Sequence, residues 1–309
     1  MKQRKSIYIL TATILIMTLG LAFKVNAQDE LQMDTGVNPG EWILIPAGEF
    51  YKGQHNHEAE VDYDYEIMAT HVTNAQYAGY LNKALDSGFV KMIGDTIKGY
   101  YPGDEFDGYK HEFKIEEGYW THMVLDEKGI HIKFDGTKFW AQKGFEDHPV
   151  IMVSWFGAKS YADFYGWRLP TELEWEKAAR GSDTRAYPWG NNFDESYANY
   201  YKSFDPFEEA YGIMRGTTPV GFYNGKTYSG FKTSDNRSPY GLYDMAGNVW
   251  QWVGDDKPFV HYRYMRGGSL ATYSQHLRIW GENSAGPDYY GLDVGFRCAR
   301  DVQDENKKK

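Results

Sequence analysis

Cysteine is nearly absent. Cys298 is the only one in 309 residues, so no disulfide can form within the chain. A chain this long needs none to bury a core, either as one large domain or as two modest ones. Positive charge is also short: Lys and Arg number 33 against 43 Asp and Glu, a net charge of −10. No broad cationic face is offered to phosphates, so no nucleic-acid partner is expected, and no phosphate-cradling glycine loop is visible. Internal repeats and low-complexity tracts are missing too.

A long apolar run occurs at the start. Lys2, Arg4 and Lys5 precede Ile7 to Phe23, and Val25-Asn26-Ala27 places small residues before the polar Gln28-Asp29-Glu30. This pattern predicts a signal peptide over residues 1–27, cut after Ala27, and an exported protein of the periplasm, cell envelope or surroundings. The run approaches spanning length, so an uncleaved anchor is the rival reading; if it is cut, no stable membrane span remains. No cysteine stands near the site to carry a lipid.

Aromatics are plentiful at 17 %, led by 26 Tyr, beside 33 Gly. This mixture predicts a loop-rich globule with a core built from rings. The densest stretch is Tyr240 to Trp252, Tyr-Gly-Leu-Tyr-Asp-Met-Ala-Gly-Asn-Val-Trp-Gln-Trp, which follows neither a helical nor a strand period. Asp244, Asn248 and Gln251 put hard oxygens in one turn-rich segment, as a calcium site requires; a tight aromatic turn capped by its own polar groups is the alternative.

Along the chain, 28–40 is a polar leader and Trp42 to Ile45 a buried strand. His55 and His57, beside Glu58 and Glu60, could hold a metal or simply form a solvated loop. Tyr63 to Thr70 reads as a strand. A helix is predicted from Thr73-Asn74 to about Leu85, with Tyr77, Tyr80, Leu81 and Ala84 on one face. Residues 89–144 read as an insertion on the domain, with hairpins around Asp126–Gly129 and Asp135-Gly136. His148 to Val153 reads as a buried strand and Ser154 as the cap of a helix ending at Gly166. Thr171 with Glu174 forms a capping-box pattern opening a helix that buries Leu173, Trp175, Ala178 and Ala179 and stops at Gly181. Short strands and turns fill Arg266 to Arg300, and 301–309 is a charged, disordered tail.

Nine motifs in order then carry a resemblance. They are Ile45-Pro-Ala-Gly-Glu-Phe50, Val72-Thr-Asn-Ala-Gln-Tyr77, His148-Pro-Val with Val153-Ser-Trp155, Arg168 through Gly181, Tyr187-Pro-Trp-Gly190, Thr218-Pro-Val-Gly221, Tyr240 through Trp252, Arg266-Gly-Gly-Ser269 and Gly295-Phe-Arg-Cys-Ala-Arg300. Over residues 41–300 the chain resembles the formylglycine-generating enzymes, or sulfatase-modifying factors. The resemblance implies an α+β fold with a C-type-lectin-like core, poor in regular structure. It also implies a copper site, because active members use two cysteines to bind copper and oxidise a sulfatase cysteine. Here those positions hold Thr272 and Leu277, so copper and formylglycine formation are not expected. Ser269 and His276 complete the candidate pocket; Cys298, in a separate motif, is expected to be an inert core thiol.

Two structural calcium sites are further implied by the resemblance. One carries over to Asp244, Gly247, Val249 and Gln251, and the other to Asn199, Tyr200 and Asp205. The expected function is a calcium-stabilised binding or assembly module with a protein, peptide or glycan partner. The alternative is an oxidoreductase with a metal held by some of His55, His57, His71, His148, His261 and His276.

Overall fold

The computed structural model describes residues 33–104, 114–208, 216–256 and 261–302. The expected signal peptide, the first part of the leader and most of the charged tail lie outside the described residues. Strand β1 (Trp42–Ile45) leads into the hairpin β2 (Gly48–Lys52) and β3 (His57–Val61), then β4 (Tyr65–Met68). Helix α1 (Asn74–Asp86) follows. Next come β5 (Val90–Ile93), β6 (Thr96–Tyr101), β7 (Gly118–Val124), β8 (Ile132–Phe134) and β9 (Phe139–Ala141). Helices α2 (Trp155–Phe164) and α3 (Glu172–Arg180) precede the two-residue strands β10 (Thr227–Tyr228) and β11 (Phe231–Lys232). The chain closes with β12 (Trp250–Asp256), β13 (Arg263–Arg266), β14 (Glu282–Ala285), β15 (Val294–Phe296) and β16 (Ala299–Asp301). The result is a mixed α+β, loop-rich C-type-lectin-like core.

Two sheets frame that core. In the order β14-β13-β12-β15 only the β12–β15 pair is parallel, with Gln251 opposite Gly295. In the other, β1 and β16 flank β4, both antiparallel to it. The main apolar cluster joins α1 (Tyr77, Tyr80, Leu81) to α2 (Trp155, Phe156, Tyr161) and to Trp252, Phe296 and Cys298. The same cluster includes Val90, Ile97, Met123, Ile132 and Phe139, so residues 89–144 share the domain's core rather than building their own.

The helix caps are as the residues dictate. Thr73 and Gln76 form a reciprocal capping box on α1, and Thr171 and Glu174 form one on α3. Ser154 accepts from Gly157 N and opens α2. Three expectations fail. His148–Val153 is buried but is no strand: Pro149 lacks an N–H and Met152 turns to φ 59°, so the segment makes single bonds such as Val150 N to Val72 O, 2.9 Å. No hairpin forms around Asp126–Gly129, because β7 pairs with β6 and β8 with β9. Leu173 is exposed, and the packed side of α3 instead buries Glu174, Glu176, Lys177 and Arg180. Lys177 and Arg180 answer carbonyls of the β2–β3 hairpin and the turn before it: Lys177 Nζ donates to Pro46 O (2.6 Å) and Gly48 O (2.9 Å), and Arg180 Nη2 to Gly53 O (3.0 Å). An apolar side chain would leave those carbonyls without a partner.

Four histidines are fully enclosed: His71, His122, His131 and His148. Burial holds all four below the usual imidazole range, His122 and His148 down to about 3 and His131 to about 4. Each ring is neutral when folded and gains a proton below pH ~6.5 once unfolded. The unfolded chain therefore binds more protons, and stability falls as the pH drops from 6.5 towards 4. The four rings act in the same direction, so the loss grows with each pH unit below 6.5. Urea midpoints measured at pH 7 and pH 5 test this; equal midpoints would refute it.

Candidate functional site

The segment 240–249 is a chain of tight turns that runs into β12, and its geometry explains its composition. Asp244 and Asn248 adopt φ of 54° and 65°, a left-handed conformation that short polar side chains tolerate best after glycine. A Cβ on Gly247 would lie 2.5 Å from Asn199 O, so nothing larger fits there. Asn248 pins a neighbouring segment as a backbone would: its Oδ1 accepts from Thr218 N (3.1 Å) and its Nδ2 donates to Thr218 O (3.0 Å). The Asp244 carboxylate is buried and accepts from Gly221 N (2.7 Å) and Asn236 Nδ2 (3.0 Å).

At the centre of these turns lies the guanidinium of Arg297, with no solvent exposure. Its Nε donates to Gln251 Oε1 (2.7 Å), Nη1 to Met68 O (3.0 Å) and Ala69 O (3.2 Å), and Nη2 to Tyr243 O (2.8 Å) and Asp244 O (3.2 Å). Every donor of the fork is used. Burial pulls its pKa down to about 9 while the Asp244 charge pushes back, so it is cationic at neutral pH. Gln251 Oε1 also accepts from Trp175 Nε1 (2.8 Å), and Gln251 Nε2 donates to Asp244 O (3.1 Å).

This geometry does not suit the calcium ion expected at Asp244, Gly247, Val249 and Gln251. Both lone pairs of the Gln251 oxygen are taken, and the local cation is Arg297. Sequence alone assigns Arg297 of the Gly-Phe-Arg motif no role, because four of its five acceptors are main-chain oxygens.

The second set is arranged differently. Asp205 is buried, and its carboxylate accepts from Ser203 Oγ (2.8 Å), Phe207 N (2.9 Å) and Tyr223 OH (3.2 Å). No cation partners it among the described residues. Burial raises its pKa to about 6 against those hydrogen bonds. Ser203 Oγ also reaches Asn199 Oδ1 (3.4 Å), so the amide and carboxylate oxygens share one neighbour; Tyr200 O accepts from Ser203 N (3.0 Å). A buried, uncompensated carboxylate beside an amide oxygen and a carbonyl is a donor set a calcium ion suits. Asn199, Tyr200 and Asp205 would hold it, and Ser203 and Tyr223 are neighbours that sequence reasoning missed.

The candidate pocket lies after β13. Ser269 is buried and donates to Asp293 Oδ2 at 2.6 Å, with no histidine beside it to act as a base. Thr272 Oγ1 is spent on Ser269, accepting from its N (2.9 Å) and donating to its O (3.0 Å). Leu277 is sealed in an apolar cluster with Tyr187, Ala198, Tyr200 and Ala246. His276 is exposed, its ring edge-on to Trp250 at 6.5 Å. Tyr273 is also exposed and lies 4.8 Å from the Tyr201 ring. Cys298 is buried in the main core, which pushes its thiol well above the usual range. His55 and His57 sit 6.2 Å apart on the β2–β3 hairpin, and His148 Nδ1 meets Thr217 Oγ1 at 2.9 Å. Among the described residues no three His, Cys, Asp or Glu side chains gather closely enough to hold a metal.

The sequence matches the Sulfatase-modifying factor enzyme 1-like domain over residues 27–302. The chain belongs to this family. Among its curated relatives, the formylglycine-generating enzyme of Mus musculus is 28 % identical over 84 % of this chain and 74 % of its own length. The inactive Cα-formylglycine-generating enzyme 2 of Bos taurus is 30 % identical over 60 % of this chain and 57 % of its own. The serine/threonine-protein kinase pkn1 of Chlamydia caviae is 29 % identical over 85 % of this chain, which spans only 38 % of that protein. In fold, the chain is similar to PvdO from Pseudomonas aeruginosa, with a TM-score of 0.54 at 21 % identity, covering 86 % of this chain and all of the other. No helix among the described residues of this sulfatase-modifying-factor domain is long and apolar enough to cross a membrane.

Removing the Arg297 fork tests its place in the domain. Arg297→Met leaves five buried oxygens without their donor and is expected to cost ~3–5 kcal/mol. Arg297→Lys keeps the charge but not the planar fork and should fall between. Thermal melts of the two variants check the order; a wild-type melt for Arg297→Met would contradict it.

Proposed function

We propose that this protein is an exported, calcium-stabilised binding or assembly domain that does not perform the cysteine-dependent oxidation of its family. The observation that carries this reading is the state of the two positions matching the family's cysteines. Thr272 spends its hydroxyl on its own turn, and Leu277 fills an apolar cluster, so neither can supply the thiolate that Cu(I) needs. A relative named as inactive shows that the family holds such members. Exposed Tyr273 and His276, with Tyr201 beside them, form the face on which a protein, peptide or glycan partner would seat. The metal-oxidase alternative draws no comparable support: among the described residues no three His, Cys, Asp or Glu side chains gather around His276.

Incubation of a sulfatase-type cysteine peptide with the protein, copper and oxygen should leave the cysteine intact by mass spectrometry, while an active family member converts it under the same conditions. Formylglycine in the sample would end the proposal.

Calcium supplies charge neutralisation at Asp205 and no reaction step. Added calcium should raise the melting temperature of the wild type by several degrees, as a ligand of the folded state does, and leave Asp205→Asn unmoved. The sign of the pH effect follows from the raised carboxyl. Its folded pKa of about 6 exceeds the unfolded 3.8, so without metal this group's contribution to stability falls as pH rises through that window. Calcium needs the ionised form, so its stabilisation should be large at pH 7.5 and small at pH 4.5. A calcium shift of equal size at both values would count against the site.

A further inference from the structure

We propose that the 89–144 insertion carries a binding site for a neutral saccharide, separate from the pocket at Thr272 and Leu277 and from the calcium residues. The proposal does not rest on the reading given above. A cleft of about 610 Å³ opens between the β8–β9 ribbon and the tip of the β5–β6 hairpin with the turn after β7. Its size is that of an ordinary small-molecule site. Trp140 stands on β9 directly opposite Lys133 on β8, so both side chains leave the same face of the ribbon. Trp140 is 43 % exposed, and half-buried Phe134, on the other face of the ribbon, also borders the cleft. Across the cleft, Asp95 lies in the hairpin turn after Gly94, at φ 61°, and Leu125 N bonds to its carbonyl (2.8 Å), which places Asp126 beside it.

The platform is held from beneath. Phe139, the neighbour of Trp140, is buried, and its backbone is clamped by Asn82 of α1, with Phe139 N donating to Asn82 Oδ1 (2.8 Å) and Asn82 Nδ2 to Phe139 O (2.9 Å). The Phe134 and Phe139 rings stack at 4.3 Å. Trp140 is thus a large exposed ring carried on a strand that Phe139 and Asn82 fix from beneath.

The polar groups select the ligand. Neither the Asp95 nor the Asp126 carboxylate has a hydrogen-bond or ion-pair partner among the described residues, so both are free acceptors. Lys133 Nζ gives one hydrogen bond to Ile130 O (3.1 Å) and keeps further donors. The two carboxylates oppose an anionic ligand, and the Lys133 ammonium in the same cleft offsets part of their pull on a cation. A neutral polyhydroxylated ring uses all of these: its C–H face lies on the Trp140 ring, while its hydroxyls donate to the carboxylates and accept from Lys133.

The test uses the whole protein and titrates maltotriose, cellotriose, mannotriose and tri-N-acetylchitotriose, each to about 10 mM, following tryptophan fluorescence and heat. At least one should bind, with the fluorescence change lost and affinity at least ~10-fold weaker in Trp140→Ala, and largely kept in Trp140→Tyr. Asp126→Asn, at an exposed position, should weaken the same sugar without altering the melt. Binding should survive both EGTA, which separates it from calcium at Asp205, and high salt, because the ligand is uncharged. Failure of all four sugars to bind, equal binding by Trp140→Ala, or binding that salt abolishes would each overturn the proposal.

Discussion

One buried cation orders the centre of this domain. Arg297 gathers carbonyls from β4 and the residue after it, from the 240–249 turns and from the Gln251 side chain, and these segments lie far apart in sequence. A guanidinium does this better than an ammonium because its donors leave in fixed, coplanar directions. The desolvation it suffers is offset only because every N–H finds an oxygen and because Asp244 lies near. The turns can then stay irregular: their carbonyls are satisfied from outside, so no helix or ladder has to form through them.

Gln251 decides how that centre is wired. Its oxygen faces two donors, and its amide returns a hydrogen bond to Asp244 O. A carboxylate at the same place could accept but could not give that third bond. The neighbouring Asp205 region shows the opposite solution, a buried carboxylate surrounded only by hydroxyls and one backbone N–H. The same fold thus holds one acid near a built-in cation and, among the described residues, gives another none.

The legibility of the sequence followed how local each cause was. Capping residues and helix stops act within one turn, so α1, α2 and α3 begin at Thr73, Ser154 and Thr171, and α3 stops at Gly181. The motifs made the family and its core readable. What could not be read depended on partners distant in sequence. Leu173 looked like core until the hairpin carbonyls beside α3 claimed that face for Lys177 and Arg180. His148 to Val153 had the composition of a strand, but a ladder needs a neighbour, and the segment found only isolated bonds. The Arg297 network was invisible for the same reason: four of its five acceptors are main-chain oxygens, and sequence says nothing of where those converge.

The small sheet made by β1, β4 and β16 has one more consequence. The first and last strands both run antiparallel to β4, so they are parallel to each other and the chain enters and leaves at opposite edges of the sheet. A force pulling on the two flanking segments would load these hydrogen bonds together, in shear, instead of peeling them apart in turn. The two outer strands would therefore share such a load through β4 rather than yield one hydrogen bond at a time.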